Sequence, residues 1–184
     1  MSLEQSDSQL EMGKTAPDFT LENFEGQEVA LTDLDNFDGV LVIFMCNHCP
    51  YVKAQTDEIR KLAEEFSSIA VVGINPNAET HPGDSVEKME AFVEENSLES
   101  SNFFYLADPE QKVAEAYGAV CTPDPFLLDW RHRLHYHGRL NDKMNPDEEV
   151  EEREMKSIIE KMLKRKKPPE DQKASQGCSI KWKD

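Results

Sequence analysis

One stretch of the chain constrains its fold more than any other. Six apolar residues at positions 40–45 end directly at Cys46-Asn47-His48-Cys49. A run this short and this apolar is typical of a central parallel strand that is covered on both faces. Apolar side chains at helical spacing follow Cys49, so the two thiols are predicted to lie where a strand passes into a helix. A helix N-terminus offers unpaired backbone N–H groups and a partial positive charge, which favour a thiolate and hence thiol–disulfide chemistry.

The composition limits the kinds of partner. The chain has 184 residues, of which 38% are hydrophobic, enough for one sizeable core and a single domain. The 37 acidic and 20 basic side chains leave a net charge of −17, which argues against binding to nucleic acid or to an anionic membrane. No apolar run approaches the about 18 residues that cross a bilayer, and the N-terminus lacks the pattern of a signal peptide. We therefore expect a cytoplasmic protein.

The four cysteines are too few for a disulfide scaffold. In a reducing compartment an adjacent pair points instead to catalysis or to metal binding.

The chain divides into one domain with two extensions. Residues 1–13 have no period and are rich in polar side chains, which predicts a disordered or loosely ordered tail. We expect the domain to cover residues 14–167, because Pro168-Pro169 stops the last predicted helix. Residues 168–184 form a polar C-terminal tail that ends in Gly177-Cys178-Ser179-Ile180-Lys181-Trp182. Buried-type residues in that hexapeptide predict that the tail docks on the domain.

Periodicity and turn signals give the order of the elements. A hairpin is predicted around Glu25-Gly26, and the strands at 40–45 and 69–74 form a β-α-β unit with a right-handed crossover. The elements that follow are a helix from Asp84 or Ser85, a strand at 103–106, a helix from Asp108 to Gly118, antiparallel strands at 126–128 and 134–137, and a last helix that opens at Asn145.

This order, with Cys-x-x-Cys after the first core strand and Thr122-Pro123 before the antiparallel pair, resembles the thioredoxin superfamily. The segment Ala16-Pro17-Asp18-Phe19 and its hairpin are similar to the peroxiredoxin-like branch, the alkyl hydroperoxide reductase and thiol-specific antioxidant type. Residues 46–53, 116–123 and 177–182 resemble bacterial and archaeal proteins labelled thioredoxin family or thiol-disulfide isomerase. The resemblance covers residues 13–183 and implies an α/β thioredoxin-like fold. Its parts would be a central mixed sheet flanked by helices, an N-terminal β-hairpin extension and a C-terminal tail.

The resemblance also implies roles for the residues of the motif. Cys46 is the expected nucleophile, because the first cysteine of such a motif is normally the exposed one, and Cys49 resolves the mixed disulfide. His48 is expected to stabilise the Cys46 thiolate and therefore the reduced form, which predicts a more oxidising potential than that of thioredoxin. Thr122-Pro123 matches the loop in which a cis-proline faces the active-site disulfide and the preceding backbone pairs with an extended substrate.

The activity implied is that of a thiol-disulfide oxidoreductase. Its partners would be protein or small thiol and disulfide substrates and an electron-donating reductase or thiol. No cofactor is implied, and the oligomeric state stays open.

Two further cysteines are possible auxiliary thiols. Cys121 lies two residues before Pro123, so it either approaches Cys46 or serves as a small buried hydrophobe, the commoner role of a free cysteine. Cys178 in the docked tail could pair with Cys121 or act as a second resolving thiol.

Two departures from the family patterns keep other functions open. Residues 40–45 lack the buried acid that assists proton transfer in thioredoxin, and no Pro-x-x-x-Thr-x-x-Cys signature of a true peroxiredoxin leads into Cys46 or Cys49. A peroxiredoxin-like thiol peroxidase is nevertheless one alternative.

A copper- or zinc-binding module that uses Cys46, His48, Cys49 and Cys121 is the other alternative. Because a second paired knuckle is absent from the sequence, we assign no metal ligand. His132, His135 and His137 are expected on a solvated hairpin, and His81 lies in a proline-rich loop that predicts little.

Overall fold

The computed structural model describes residues 2–7 and 9–184. The strands in this part of the chain are β1 (Leu3–Gln5), β2 (Thr20–Asn23), β3 (Glu28–Ala30), β4 (Gly39–Phe44), β5 (Ile69–Asn75), β6 (Phe103–Ala107), β7 (Cys121–Thr122), β8 (Asp124–Leu128), β9 (Leu134–His137) and β10 (Gln176–Ser179). The α-helices are α1 (Pro50–Lys53), α2 (Thr56–Glu65), α3 (Val86–Glu95), α4 (Lys112–Tyr117) and α5 (Glu154–Leu163).

The strand β4 is an interior strand of a seven-stranded mixed sheet, next to the middle strand β5. It pairs parallel with β5, where Val42 lies opposite Val72, and antiparallel with β8, where Val42 lies opposite Phe126. Every residue of β4 is buried. Its side chains alternate between two core clusters, with Leu41 and Ile43 in the cluster on one face and Val42 in the other. The predicted central strand, covered on both faces, is confirmed.

The strand order of this sheet is β3-β2-β6-β5-β4-β8-β9. The predicted N-terminal hairpin is the antiparallel pair β2–β3, which joins the sheet through β6. The predicted β-α-β unit is β4-α2-β5, and the antiparallel pair at the other edge is β8–β9. A parallel centre, helices on both faces and an antiparallel edge give the predicted α/β thioredoxin-like fold.

The helix after the two thiols is broken into α1 and α2, although the sequence predicts one continuous helix. At the break, Gln55 N donates to Val52 O at 2.9 Å, which is a tight 3-10-type turn. The Gln55 side chain forms a buried reciprocal amide pair with Asn141, at 3.0 and 2.9 Å. This long-range pairing, which helical periodicity does not reveal, accompanies the change of direction.

Two predicted helix starts are wrong by several residues. The last helix begins at Glu154 rather than at Asn145, because the Glu148 side chain accepts the backbone N–H groups of Met144 and Asn145 and closes a local turn instead. The helix α4 begins at Lys112 rather than at Asp108, since Gln111 takes a left-handed conformation with φ of 61°.

The sequence predicts a disordered or loosely ordered tail at residues 1–13, of which Met1 and Ser8 lie outside the described residues. The strand β1 pairs with β10 of the C-terminal tail, and β10 pairs with β7, which gives a second, three-stranded sheet. Backbone pairing does not depend on apolar side chains, so a polar segment with a partner more than 170 residues away shows no sign of it in the sequence.

Among the described residues, no helix combines the length and the apolar character that crossing a bilayer requires.

Candidate active site

The two thiols of the motif lie side by side at the end of β4. Cys46 follows that strand, and Cys49 is the N-cap residue of α1. The Cys46 Sγ atom lies 3.5 Å from Thr122 Oγ1, and the Cys49 Sγ atom lies 3.4 Å from the Thr122 carbonyl oxygen. Both cysteines are reduced and fully buried, at 0% exposure, so the expectation of an exposed Cys46 is wrong for this reduced conformation.

The two thiols shift each other's pKa in opposite directions. A hydrogen bond from Cys46 lowers the pKa of Cys49 to about 5 against the opposing effect of burial, and the Cys178 thiol and the Val52 backbone N–H lower it further. The pKa of Cys46 is raised well above its ordinary value because this thiol donates to Cys49, is buried and faces the Asp84 carboxylate. The donors at the helix start point at the N-cap residue. The pKa of Cys49 is thus lowered and that of Cys46 raised, whereas the sequence predicts the stabilised thiolate at Cys46.

A buried carboxylate, Asp84, holds the motif from the other side. One of its oxygens accepts the backbone N–H groups of Asn47 and His48, each at 2.8 Å, and the other lies 2.5 Å from His48 Nδ1. Asn77 donates to the same carboxylate at 3.3 Å, and Asn75 donates to the Asp84 carbonyl at 2.8 Å. Sequence reasoning assigned Asp84 only as a possible helix cap, because nothing local links it to a loop 36 residues earlier.

His48 lies between this carboxylate and the Cys46 thiol. Its Nδ1 atom is 3.8 Å from Cys46 Sγ, and its ring stacks on His81 with centroids 3.6 Å apart. Partial burial and the neighbouring His48 lower the pKa of His81. The side chain of His48 is 17% exposed, whereas both cysteines have no exposed surface. His48 thus forms the boundary between the buried thiols and solvent.

The Thr122-Pro123 peptide bond is cis, as the resemblance implies. Thr122 contacts both motif thiols, but its backbone is already paired: β10 lies antiparallel to β7, with Cys178 opposite Thr122. Ser175 Oγ donates to the Pro123 carbonyl at 2.7 Å. The C-terminal tail therefore occupies the edge that was predicted to receive an extended substrate.

The two auxiliary cysteines face opposite sides of the small sheet. Side chains alternate along a strand, and the Thr122 side chain points toward Cys46, so that of its neighbour Cys121 points away. Cys178 lies opposite Thr122 and therefore shares the Thr122 face. Cys121 Sγ lies 3.8 Å from the Pro123 carbonyl, and burial raises the pKa of Cys121. The structure brings Cys178, and not Cys121, to the Cys46–Cys49 pair.

The family follows from the sequence that surrounds this geometry. A model of the AhpC/TSA family matches residues 12–137, which include the hairpin, the Cys-x-x-Cys and the Thr-Pro segment. The chain belongs to the AhpC/TSA family.

Individual relatives of this AhpC/TSA protein carry two kinds of name. The chain is 30% identical over 110 residues to peroxiredoxin Bcp of Bacillus subtilis, an alignment that covers 59% of the chain and 64% of that protein. It is 30% identical over 118 residues to thiol-disulfide oxidoreductase ResA of Geobacillus thermodenitrificans, which covers 64% of the chain and 63% of that protein. Both alignments span less than two thirds of the relative. The names nevertheless agree on a thiol-based redox enzyme.

One solved structure resembles the AhpC/TSA protein over its whole length. A crystal structure of an uncharacterized conserved protein from Geobacillus kaustophilus is 38% identical, with a TM-score of 0.90, and the match covers 100% of the chain and 97% of that protein. The likeness therefore extends beyond the AhpC/TSA match, through α5 and the C-terminal tail.

A second buried acid lies on the strand next to β4. Asp124 of β8 pairs with Phe44 in register, and one of its oxygens lies 2.7 Å from His137 Nε2 on β9. Burial raises the pKa of Asp124 against the lowering effect of His137. The prediction of solvated hairpin histidines is wrong: His132, His135 and His137 are all buried. The alternating histidines make this strand polar in sequence, and nothing in it indicates that the neighbouring strand supplies Asp124, the acid that pairs with His137.

The predicted soft-ligand set is not assembled, because Cys121 faces away from the other three residues. A different trio lies close together, since Cys46 Sγ, His48 Nδ1 and an Asp84 oxygen all fall within 4.8 Å of one another. The Asp84 oxygens already accept hydrogen bonds from the motif backbone and from His48, so a metal ion would have to replace some of them.

Proposed function

We propose that the protein is a thiol-disulfide oxidoreductase that cycles between the Cys46, Cys49 dithiol and the Cys46–Cys49 disulfide. The observation that carries this proposal is the placement of two buried thiols at a helix start, both beside Thr122 of the cis Thr122-Pro123 bond; the Cys46 thiol lowers the pKa of Cys49 to about 5. A stabilised thiolate beside a second thiol is what disulfide exchange requires. The relatives named as peroxiredoxin and as thiol-disulfide oxidoreductase support a redox enzyme of this general kind.

Cys46 attacks the substrate disulfide in this proposal, because it adjoins His48, the partly exposed residue of the motif. As Cys46 attacks, its proton passes to the Cys49 thiolate. One substrate sulfur becomes bonded to Cys46, and the other leaves as a thiolate. Cys49 then gives its proton to that leaving thiolate and attacks Cys46 Sγ. The Cys46–Cys49 bond forms and the second substrate sulfur departs as a thiolate, so the substrate gains the two electrons that the protein loses.

Asp84 and His48 position the motif for these steps. The carboxylate fixes the backbone of Asn47 and His48, and the imidazole can hold a proton within reach of Cys46. Donor electrons would return through a reductase or a small thiol. We further propose a cytoplasmic location, in keeping with an active dithiol.

A thiol peroxidase is the second candidate, and the ionised Cys49 is the observation that favours it. The Cys49 thiolate would attack a hydroperoxide and, with one proton from solvent, give a sulfenic acid and an alcohol or water. Cys46 would then condense with the sulfenic acid, releasing water and forming the same disulfide. The peroxiredoxin signature Pro-x-x-x-Thr-x-x-Cys can be aligned with its cysteine on Cys49. In that alignment Cys46 stands where the signature has Thr, and Val42 stands where it has Pro.

Single-cysteine variants test the proposal. With insulin as substrate, Cys49→Ser should accumulate a mixed disulfide with insulin on Cys46, whereas Cys46→Ser should lose the reduction of insulin. Cys121→Ser is the matched control, since this equally buried thiol faces away from the site and its loss should leave the rate unchanged.

Peroxide consumption by the same variants tests the second candidate, and an activity lost only in Cys49→Ser would favour it. Stoichiometric copper or zinc in the purified protein, lost with Asp84→Asn, would favour the metal-binding alternative.

A further inference from the structure

We infer that Cys178 is a third redox-active thiol, which takes over the disulfide at Cys49 and holds it as a Cys49–Cys178 bridge beneath the tail strand. This inference rests on the proposed function, because the Cys46–Cys49 disulfide is its starting point.

Strand register places Cys178 at the site. In the β7–β10 pair Cys178 lies opposite Thr122, the residue whose carbonyl oxygen lies 3.4 Å from Cys49 Sγ and whose hydroxyl lies 3.5 Å from Cys46 Sγ. Residues directly opposite on antiparallel strands point to the same face. Cys178 is 2% exposed, belongs to the same core cluster as Cys46 and Cys49, and lies on a strand that packs against α1. Three thiols thus meet on one side of Thr122.

The tail is built for close approach at this point. A Cβ atom on Gly177 would lie 1.8 Å from the Thr122 carbonyl oxygen, so only glycine lets β10 come this near to β7. Beyond Cys178, Ile180 is buried in the core, Lys181 N donates to Asn77 at 3.0 Å, and Lys183 N donates to Gln111 at 2.8 Å. Anchors on both sides of Cys178 fix its position.

The tail strand stands where the resemblance places an extended substrate, antiparallel to the residue before the cis-proline. Cys178 therefore takes the position of a substrate cysteine, supplied by the chain itself.

Its contact with Cys49 has a chemical consequence in each redox state. In the reduced protein, burial and the neighbouring Cys49 raise the pKa of Cys178 to about 12, which keeps it protonated. Once Cys49 is bonded to Cys46, the Cys49 sulfur carries no charge and no longer raises the pKa of Cys178.

The step is a balanced disulfide exchange. Cys178 Sγ attacks Cys49 Sγ of the Cys46–Cys49 disulfide, the Cys46–Cys49 bond breaks and the Cys49–Cys178 bond forms. The Cys178 proton goes to the departing Cys46 sulfur. No electrons are gained or lost overall, so the exchange needs no oxidant beyond the one that formed the first disulfide. Cys46 becomes a thiol again while the protein still stores one oxidised pair.

Disulfide mapping of full-length Cys46→Ser tests the inference, because this variant keeps Cys49 and Cys178 but cannot form the first bridge. After incubation with oxidised glutathione and digestion without reductant, mass spectrometry should find Cys49 joined to Cys178. The bridge should persist in Cys46→Ser/Cys121→Ser and be lost in Cys46→Ser/Cys178→Ser, where Cys49 should end as a glutathione mixed disulfide. Cys46→Ala provides a second background if the serine variant folds poorly.

A Cys46→Ser protein that carries glutathione on Cys49 and a free Cys178 overturns the inference, as does a bridge from Cys49 to Cys121. If wild type still forms the Cys46–Cys49 bridge and exchanges disulfides, the proposed function survives that failure. A Cys178→Ser protein that forms no Cys46–Cys49 bridge on oxidation overturns both.

Discussion

Replacement of Asp84 by asparagine tests how the site is held together. The carboxylate is fully buried and accepts four hydrogen bonds: two from backbone N–H groups of the motif, one from His48 and one from Asn77. An asparagine can keep its oxygen toward the two backbone groups. Its amide NH₂ then meets the Asn77 NH₂, which is also a donor, and the charge that strengthens every one of these bonds is gone.

The size of the effect follows from those bonds. A hydrogen bond to a charged group contributes about 1.5–3 kcal/mol, and a neutral one about 1 kcal/mol. Losing the charge-assisted bond to His48 and weakening the two backbone bonds should lower the free energy of unfolding by roughly 2–4 kcal/mol. The same change removes a negative charge that faces Cys46, so the pKa of Cys46 should fall.

Two assays separate these effects. Urea unfolding measures the free energy of unfolding, and the pH dependence of iodoacetamide alkylation measures the pKa of Cys46. The alkylation is best done in a Cys49→Ser background, where the titration of Cys49 no longer obscures the influence of Asp84 on the pKa of Cys46. Glu90→Gln is the matched control: it removes an acid of the same charge from the exposed face of α3 and should change neither quantity.

An Asp84→Asn protein with unchanged unfolding and an unchanged Cys46 pKa would refute the role given to this carboxylate. A rise in the Cys46 pKa would contradict the sign of the electrostatic argument.

Three further changes have defined outcomes. The exchange rate should fall as the pH drops through about 5, because protonated Cys49 cannot accept the Cys46 proton; a stopped-flow pH profile that rises only near the ordinary thiol value of 9.0 would contradict this. Gly177→Ala should push β10 from β7, at an overpacking cost of about 1–3 kcal/mol in unfolding free energy, and reduce the yield of the Cys49–Cys178 bridge on mapping; an unchanged yield would count against the close approach. His137→Ala should leave the Asp124 carboxylate buried without its partner and cost about 3 kcal/mol in urea unfolding; a loss below about 1 kcal/mol would show that the pair is not needed.

Local patterns in the chain predict the centre of the fold well. The apolar run at 40–45 predicts β4 because a strand buried on both faces needs an unbroken apolar sequence, and its end at Cys46 places the thiols. Asp84 illustrates the limit of such patterns. An acid before a helix is usually a cap, and its bonds to Asn47 and His48 exist only once the chain has folded back over 36 or 37 residues.

The N-terminal segment and the edge histidines illustrate the same limit. Leu3–Gln5 is polar enough to predict disorder, yet its backbone pairs with β10 at the far end of the chain. His137 sits on a short strand of mixed polarity, and only the neighbouring strand supplies the buried Asp124 that accounts for its position. The lowered pKa of Cys49 likewise depends on hydrogen-bond donors that only the folded chain brings to it: the Cys46 thiol first, then the Cys178 thiol and the Val52 backbone N–H.

A redox titration of the Cys178→Ser variant, in which the disulfide cannot pass to the tail strand, followed by mass spectrometry of the Cys46–Cys49 peptide, tests the central claim most directly. The account predicts a two-electron transition in which these two cysteines oxidise together, at a potential above the roughly −270 mV of thioredoxin, because the stabilised Cys49 thiolate favours the reduced form. A potential at or below that value, or oxidation that leaves Cys46 and Cys49 unbridged, would contradict it.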